Sequence, residues 1–337
     1  MTLAETEFGL SPFPWQGEQW SGLYKAIEQS RLPHAYLFSG IAGVGKAHMA
    51  LLVAHRLMCS AQSGELACGH CKACQLVKAG SHPDLLLVEP EAHGKAIKID
   101  PIRKVTDFLA KTAQQGGRKV VVLAPAEAMT TAAANALLKS LEEPAGNSHL
   151  LLVSHQASGV LSTIRSRCRL LTFGQPPVEQ VLPWLTPLVG SRTDPAALLE
   201  LAGGAPLYAS DLLEGENLEH HQALMSGLEA LALGQTGPLT LASQWQAQDP
   251  IQLLTWIQVW LSQLLRQLQW QVKPGANSVD WALQMLGRGD PAILHRYYEK
   301  VGRARSALAG GANPNPQLLL EELVLDWQAL CRAMARR

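Results

Sequence analysis

The first half of the chain alternates short runs that are apolar throughout with stretches whose apolar residues recur every three or four positions. Five runs stand out: AYLFSG (35–40), DLLLVEP (84–90), KVVVLAP (119–125), HLLLVSH (149–155) and CRLLTF (168–173). Runs this short, without polar alternation, predict strands covered on both faces, the pattern of a parallel sheet between helical layers. Between them, DPIRKVTDFLAKTAQQGG puts Ile102, Val105, Leu109 and Phe108 on one side of a helix. Asp100 is its expected cap and Pro101 lies in its first turn. A second helix, in TTAAANALLKSLEEPAG, is capped by Thr130 or Thr131, carries Leu137, Leu138 and Leu141 on its apolar face, and stops at Pro144.

After GQPPVEQVLP (174–183) the strand signal disappears. Residues 178–216 read as a few short helices broken by AGGAP (202–206), and from 217 onward Leu, Gln, Ala and Trp recur at helical spacing. The last helix starts at Asn315 and Pro316 and holds Leu319, Leu323 and Trp327 on one face. The expected organisation is an α/β domain at 1–175, a small helical domain at 176–216 and a helical C-terminal domain at 217–337.

Charge narrows the function classes. The chain has 337 residues, and its 28 Lys and Arg balance 28 Asp and Glu, so no net field draws it to a polyanion. DNA contact must come from a local patch or from partners. The start, MTLAETEFGLSPFPW, lacks the basic residues and apolar run of a secretory signal. The most apolar later stretch, 251–270, is interrupted by Gln252, Gln258, Gln263, Arg266, Gln267 and Gln269. A soluble cytoplasmic protein with no membrane partner is expected.

Two stretches carry recognisable chemistry. In LFSGIAGVGKAHMA (37–50), Gly40, Gly45 and Lys46 satisfy G-x-x-x-x-G-K, with a strand before and a helix after. That arrangement predicts a phosphate loop, its glycines turning backbone N–H groups toward phosphate and its lysine adding a point charge. The next position should carry a hydroxyl for magnesium, and it is Ala47. The strand KVVVL should end in acids that hold the metal and orient water, and it ends in Ala124 and Pro125. The nearest carboxylate, Glu127, reads as an acid in a helix's first turn, or as a displaced substitute. Two losses at one site predict no ATP hydrolysis, while residual binding of ATP with Mg2+ stays open.

Four of the six cysteines, Cys59, Cys68, Cys71 and Cys74, form C-x8-C-x2-C-x2-C. With no export signal this spacing points to metal, and four thiolates close a tetrahedral structural Zn2+ site. His70 could replace one thiolate but is expected to be a bystander. A nucleic-acid-binding zinc ribbon is the sharper alternative, yet residues 60–82 offer only Lys72 and Lys78 as cations and no aromatic ring.

The helix NALLKSLEEP is followed downstream by STIRSRCRLLTF, with Ser166, Arg167 and Cys168 just before a strand. In these motifs the chain resembles the clamp-loader subunits of the AAA+ class. With the four-cysteine insert and the degenerate loop, it is most similar to the delta' family of the bacterial DNA polymerase III clamp loader. The resemblance covers essentially the whole length, including NPQLLLEELVL near the end. It implies an AAA+ domain with a zinc module, a small helical lid and an all-α collar. It also implies that Arg167 is an arginine finger, offered in trans to the ATP site of a neighbouring motor subunit. Leu207 then stands where a motor subunit places a sensing arginine, and Ser154 where it places its polar sensor.

The implied role is a non-hydrolysing stator subunit, with motor (tau/gamma) and delta subunits as partners and the sliding clamp and primed DNA reached through the complex. Two other classes remain: an AAA+ ATPase with its own turnover, and a zinc-dependent DNA-binding module.

Overall fold

The structure, a computed structural model, describes residues 11–61, 64–92, 95–115, 117–270, 280–286, 290–309 and 314–335. The start of the chain, on which the expectation against a secretory leader rests, lies largely outside the described residues. The chain divides into two compact units, Met1–Val181 and Leu182–Arg337.

In the first unit, α1 (Gly17–Glu28) precedes β1 (Ala35–Gly40), α2 (Lys46–Met58), α3 (Lys72–Lys78), β2 (Leu85–Val88) and α4 (Ile99–Ala110). There follow β3 (Lys119–Leu123), α5 (Thr131–Glu142), β4 (Ser148–Ser154), α6 (Ser162–Arg165) and β5 (Arg169–Phe173). The apolar runs become five parallel strands in the order β2-β3-β4-β1-β5. Alternate residues of a strand point to opposite faces, and both faces here are covered. Phe38, Val120, Val122, Leu151 and Val153 pack with α1 and α2 through Trp20, Leu23, Met49 and Leu52. Leu37, Val121, Leu123, Leu150 and Leu152 pack with α4 and α5 through Ile102, Val105, Leu137 and Leu141. Each such side chain contributes roughly 1.5–3 kcal/mol by leaving water.

Two helix starts show where local signals hold and where packing overrides them. Thr130 caps α5, its Oγ1 accepting the N–H of Ala133 at 3.2 Å. α4 begins at Ile99 with Lys98 in the cap position, so Asp100 sits in its first turn and is not the cap. The cause is tertiary. The N–H of Ile97 donates to Ala128 O at 2.8 Å and the N–H of Thr130 to Ile97 O at 3.0 Å, which pins the chain immediately before the helix.

The second unit is helical among the described residues. α7 (Val178–Val189) contains the boundary, and α8 (Pro195–Leu201), α9 (Pro206–Asp211), α10 (Asn217–Ala232) and α11 (Pro238–Gln244) follow. The rest is α12 (Pro250–Trp270), α13 (Asp280–Leu286), α14 (Pro291–Ala309) and α15 (Pro316–Ala335). Among the described residues no helix is long and apolar enough to cross a membrane. The core is aromatic: Trp260 and Trp327 meet edge to face at 5.4 Å, and Tyr297 lies 5.6 Å from Trp327. Their polar ends are satisfied, Trp327 Nε1 donating to Leu228 O at 3.2 Å and the Tyr297 hydroxyl to Leu323 O at 3.0 Å. On α15 Leu323 and Trp327 are buried and Leu319 is half-buried.

His221 of α10 is buried edge-on to Trp256 at 5.6 Å, and neither ring nitrogen has a hydrogen-bond partner. Burial lowers its pKa from 6.5 to about 4. His48 and His149 are pushed down by burial as well. The unfolded chain therefore binds more protons below pH 6.5, so stability is full above that value and falls as pH drops toward 4. His221 alone accounts for about 2 kcal/mol between pH 7 and pH 5. Urea midpoints should fall over this interval, and His221→Phe should shrink the fall. An equal fall in native chain and variant would remove His221 as a cause.

Candidate functional site

The end of β1 forms the predicted loop. A Cβ on Gly40 would lie 2.1 Å from the carbonyl oxygen of Phe173, so only glycine lets β1 and β5 run together here. Gly45 precedes α2 with φ 88, and a Cβ there would meet the Phe13 ring at 2.8 Å. Lys46 is buried, its Nζ donating to the carbonyl of Ile41 in its own loop. Burial lowers its pKa to about 8 against the opposing pull of the Glu127 charge.

A segment that sequence reasoning passed over rests on this loop. Trp15 Nε1 donates to Val44 O at 3.1 Å, and Gln16 Nε2 donates to Val44 O at 3.0 Å and Gly45 O at 2.9 Å. The Phe13 ring stacks on Trp15 at 4.9 Å and lies against His48 at 4.4 Å. In the sequence PFPW bears only on the argument against a leader, and Gln16 stands just past it. The segment's signal is the cluster of aromatic rings and long donors, which shows no periodicity and names no target.

Glu127 stands in the first turn of a helix, as expected, but the helix is a short one before α5. It sits in a separate 3-10 turn, Ala126–Ala128, and its Oε1 accepts the N–H of His155, just past β4, at 2.8 Å. Its Oε2 is buried without a hydrogen-bond partner. The turn after Pro125 carries this side chain under the end of β4, where its field reaches Lys46. Ala124 is buried in the place where a strand-end acid would stand, and Ala47 packs half-buried on the core. Ser154 is buried, its Oγ accepting the N–H of Gln156 at 3.1 Å.

The four cysteines converge from three places. Cys59 follows α2, Cys68 lies in the loop beyond it, Cys71 caps α3 and Cys74 lies in its first turn. All four Sγ atoms are within 4.8 Å of one another. Tetrahedral zinc with Zn–S bonds of about 2.3 Å requires sulfurs about 3.8 Å apart, so the set can hold a metal ion and suits zinc. The N–H groups of Cys68, Cys71 and Cys74 donate to the sulfurs of Cys59, Cys68 and Cys71 at 3.4, 3.3 and 3.4 Å. Such donors favour thiolate over thiol. Burial pushes the Cys71 thiol up, but hydrogen bonds from Ser60 and Cys74 outweigh it and bring the pKa to about 5. Burial pushes the Cys74 thiol up. His70 is exposed and turned to the carbonyl of Cys68, Nδ1 to O 2.7 Å, outside the sulfur cluster.

Arg167 lies between α6 and β5. Its NH2 is 2.7 Å from Glu142 Oε1 at the end of α5, and its NH1 donates to Thr163 O at 3.0 Å and Ser166 Oγ at 3.3 Å. The NALLKSLEEP helix and the Ser-Arg-Cys segment thus meet at one partly exposed guanidinium, whose side chain is 36% accessible. The neighbouring Cys168 thiol is pushed up to about 12 by burial and stays protonated at neutral pH.

Sequence comparison adds relatives to this geometry. Two family profiles match: "DNA polymerase III, delta subunit" over residues 15–177 and "DNA polymerase III, delta subunit, C terminal" over 215–329. The DNA polymerase III subunit delta' of Pseudomonas aeruginosa is 39% identical over 324 residues, covering 94% of this chain and 98% of that protein. The chain belongs to the DNA polymerase III delta' family. The delta' subunit of Escherichia coli K12 is 31% identical, covering 93% of this chain and 94% of that one. The tau subunit of the same organism is 27% identical over 82% of this chain and 41% of its own length.

In this member of the family the first unit carries the parallel sheet and the loop after β1, and the second unit is helical among the described residues. The loop keeps its shape while Ala47, Ala124 and Pro125 offer no side-chain oxygen to a metal.

Proposed function

We propose that the chain is the non-hydrolysing stator subunit of the DNA polymerase III clamp loader, which places the sliding clamp on primed DNA. The observation that carries this reading is the pairing of a phosphate loop without metal ligands with an outward-facing, anchored Arg167. A guanidinium supplied in trans stabilises charge on a transferring phosphoryl group and needs no nucleotide on its own chain. Its natural target is the ATP site of a neighbouring motor subunit, of the tau/gamma kind, with the delta subunit as a further neighbour.

In this reading residues 1–175 form the AAA+ domain, 176–216 a lid and 217–337 a collar through which the subunits associate, and the protein works in the cytoplasm. The cysteine cluster braces the module between α2 and β2 around a structural zinc ion. Gly40, Gly45 and Lys46 keep the loop's shape. Phe13, Trp15 and Gln16 rest on it and Lys46 bonds to Ile41 O within it, and with no side-chain metal ligand at Ala47, Ala124 or Pro125 no ATP turnover is expected of this chain.

The test is omission and add-back. A reconstituted loader lacking this chain should fail to place clamp on primed DNA, and the purified chain should restore loading while showing no magnesium-dependent ATP turnover by itself. Turnover by the isolated chain that Lys46→Ala abolishes would make it an ATPase. Salt-sensitive binding of primed DNA by the isolated chain, lost on chelation, would make it a zinc-dependent DNA-binding module.

A further inference from the structure

We propose that Glu142 is a positioning residue for Arg167, an inference that rests on reading Arg167 as the finger. Glu142 is the last residue of α5, and Pro144 prevents the helix from continuing. Leu141, the residue before it, and Leu137, about one turn earlier, are buried in the core and fix where that helix ends. A carboxylate in the last turn faces the negative end of the helix dipole and is unfavourable there without a cation. The cation is Arg167, 25 positions further along, held at 2.7 Å.

The pair is too exposed to matter much for stability, with side chains 36% and 48% accessible. Its consequence is conformational. Glu142 Oε1 forms an ion pair with NH2 at 2.7 Å, and NH1 donates to Thr163 O and Ser166 Oγ. NH1 is committed to these acceptors and NH2 is held by the Glu142 charge, while N–H groups on NH2 and Nε remain to meet an incoming phosphate oxygen. A long arginine side chain loses rotamer freedom when it engages a ligand. Glu142 removes part of that loss beforehand by holding the group in one place over the end of α6, against Thr163 O and Ser166 Oγ, before the neighbour docks.

The experiment measures clamp- and DNA-stimulated ATP hydrolysis in the reconstituted loader for the native chain, Arg167→Ala, Glu142→Ala, Glu142→Gln and the double alanine variant, at matched assembly. Glu142→Ala should lower the Arg167-dependent part of kcat about threefold to tenfold, the effect of freeing one long side chain, with KM for ATP little changed. Glu142→Gln keeps the shape without the charge, and because the contact is an ion pair the rate should fall as it does in Glu142→Ala. The double variant should be no slower than Arg167→Ala.

A native or faster rate in Glu142→Ala beside a slow Arg167→Ala would overturn the positioning role and leave the finger standing. A double variant slower than Arg167→Ala would show that Glu142 acts independently, which also overturns it. A native rate in Arg167→Ala would sink the finger reading and this one with it. If Glu142→Ala impairs assembly, Glu142→Asp keeps the charge and shortens its reach by one methylene; the same fall in kcat is expected, and a native rate counts against the proposal.

Discussion

Arg167→Ala in a reconstituted loader should lower ATP hydrolysis at the neighbouring site by roughly a thousandfold or more, the usual worth of a finger supplied in trans. The whole complex will lose less, because ATP sites completed by other subunits keep their own rate. A single-turnover measurement, or motor subunits disabled at all sites but one, isolates the effect. Assembly should be unaffected, since Arg167 is partly exposed and its ion pair with Glu142 is a surface contact. Arg167→Lys should rescue little: an ammonium cannot present two parallel N–H groups to phosphate oxygens, and it cannot span Glu142, Thr163 and Ser166 as the guanidinium does. A native rate in Arg167→Ala would reduce this subunit to a scaffold.

Loss of zinc should be the largest perturbation of stability. Structural zinc contributes on the order of 10–16 kcal/mol to the folding of isolated zinc-finger peptides, and part of that is expected for a module embedded in a larger sheet. The purified chain should carry zinc by elemental analysis, and Cys74→Ser should abolish it. Cys74 and Val77 of α3 are buried, and Val77 belongs to the core cluster that includes α2, so collapse of the module would open that side of the sheet. Chelation should therefore speed amide exchange across α3 and the end of α2 and lower the melting temperature. Cys168→Ser and Cys331→Ser should leave metal content unchanged, as neither belongs to the four-sulfur cluster. Metal-free protein with a native melting temperature would make the cluster four free thiols.

Both experiments depend on how far apart in the chain the cooperating residues lie. The cysteines fall between 59 and 74 and could be matched to a metal by spacing alone, because a short loop brings nearby thiolates together whatever surrounds it. The glycine loop was legible for the same reason. Arg167 is legible only through a resemblance, and nothing in the sequence marks Glu142 as its partner, although it stands inside the helix NALLKSLEEP. The place of Glu127 in a helix's first turn is legible from its context, whereas its partner, the N–H of His155, lies on the far side of α5 and β4 in sequence and is not. Asp100 failed as a cap because pairing of Ile97 with Ala128 and Thr130 set the helix start from outside the helix.

The sequence by itself determined the five strands, the amphipathic helices, the shape of the loop, the cysteine spacing and the absence of metal ligands at Ala47, Ala124 and Pro125. These follow from side-chain period, turn chemistry and residue identity, all of which act within a few positions of one another. Only the tertiary structure decided that β1 lies between β4 and β5, which brings the end of α5 to the Ser-Arg-Cys segment and Glu127 within reach of Lys46. It also decided that Phe13, Trp15 and Gln16 rest on the loop. Those contacts join residues tens of positions apart, and they exist because burying both faces of a parallel sheet forces crossovers whose destinations no local pattern records.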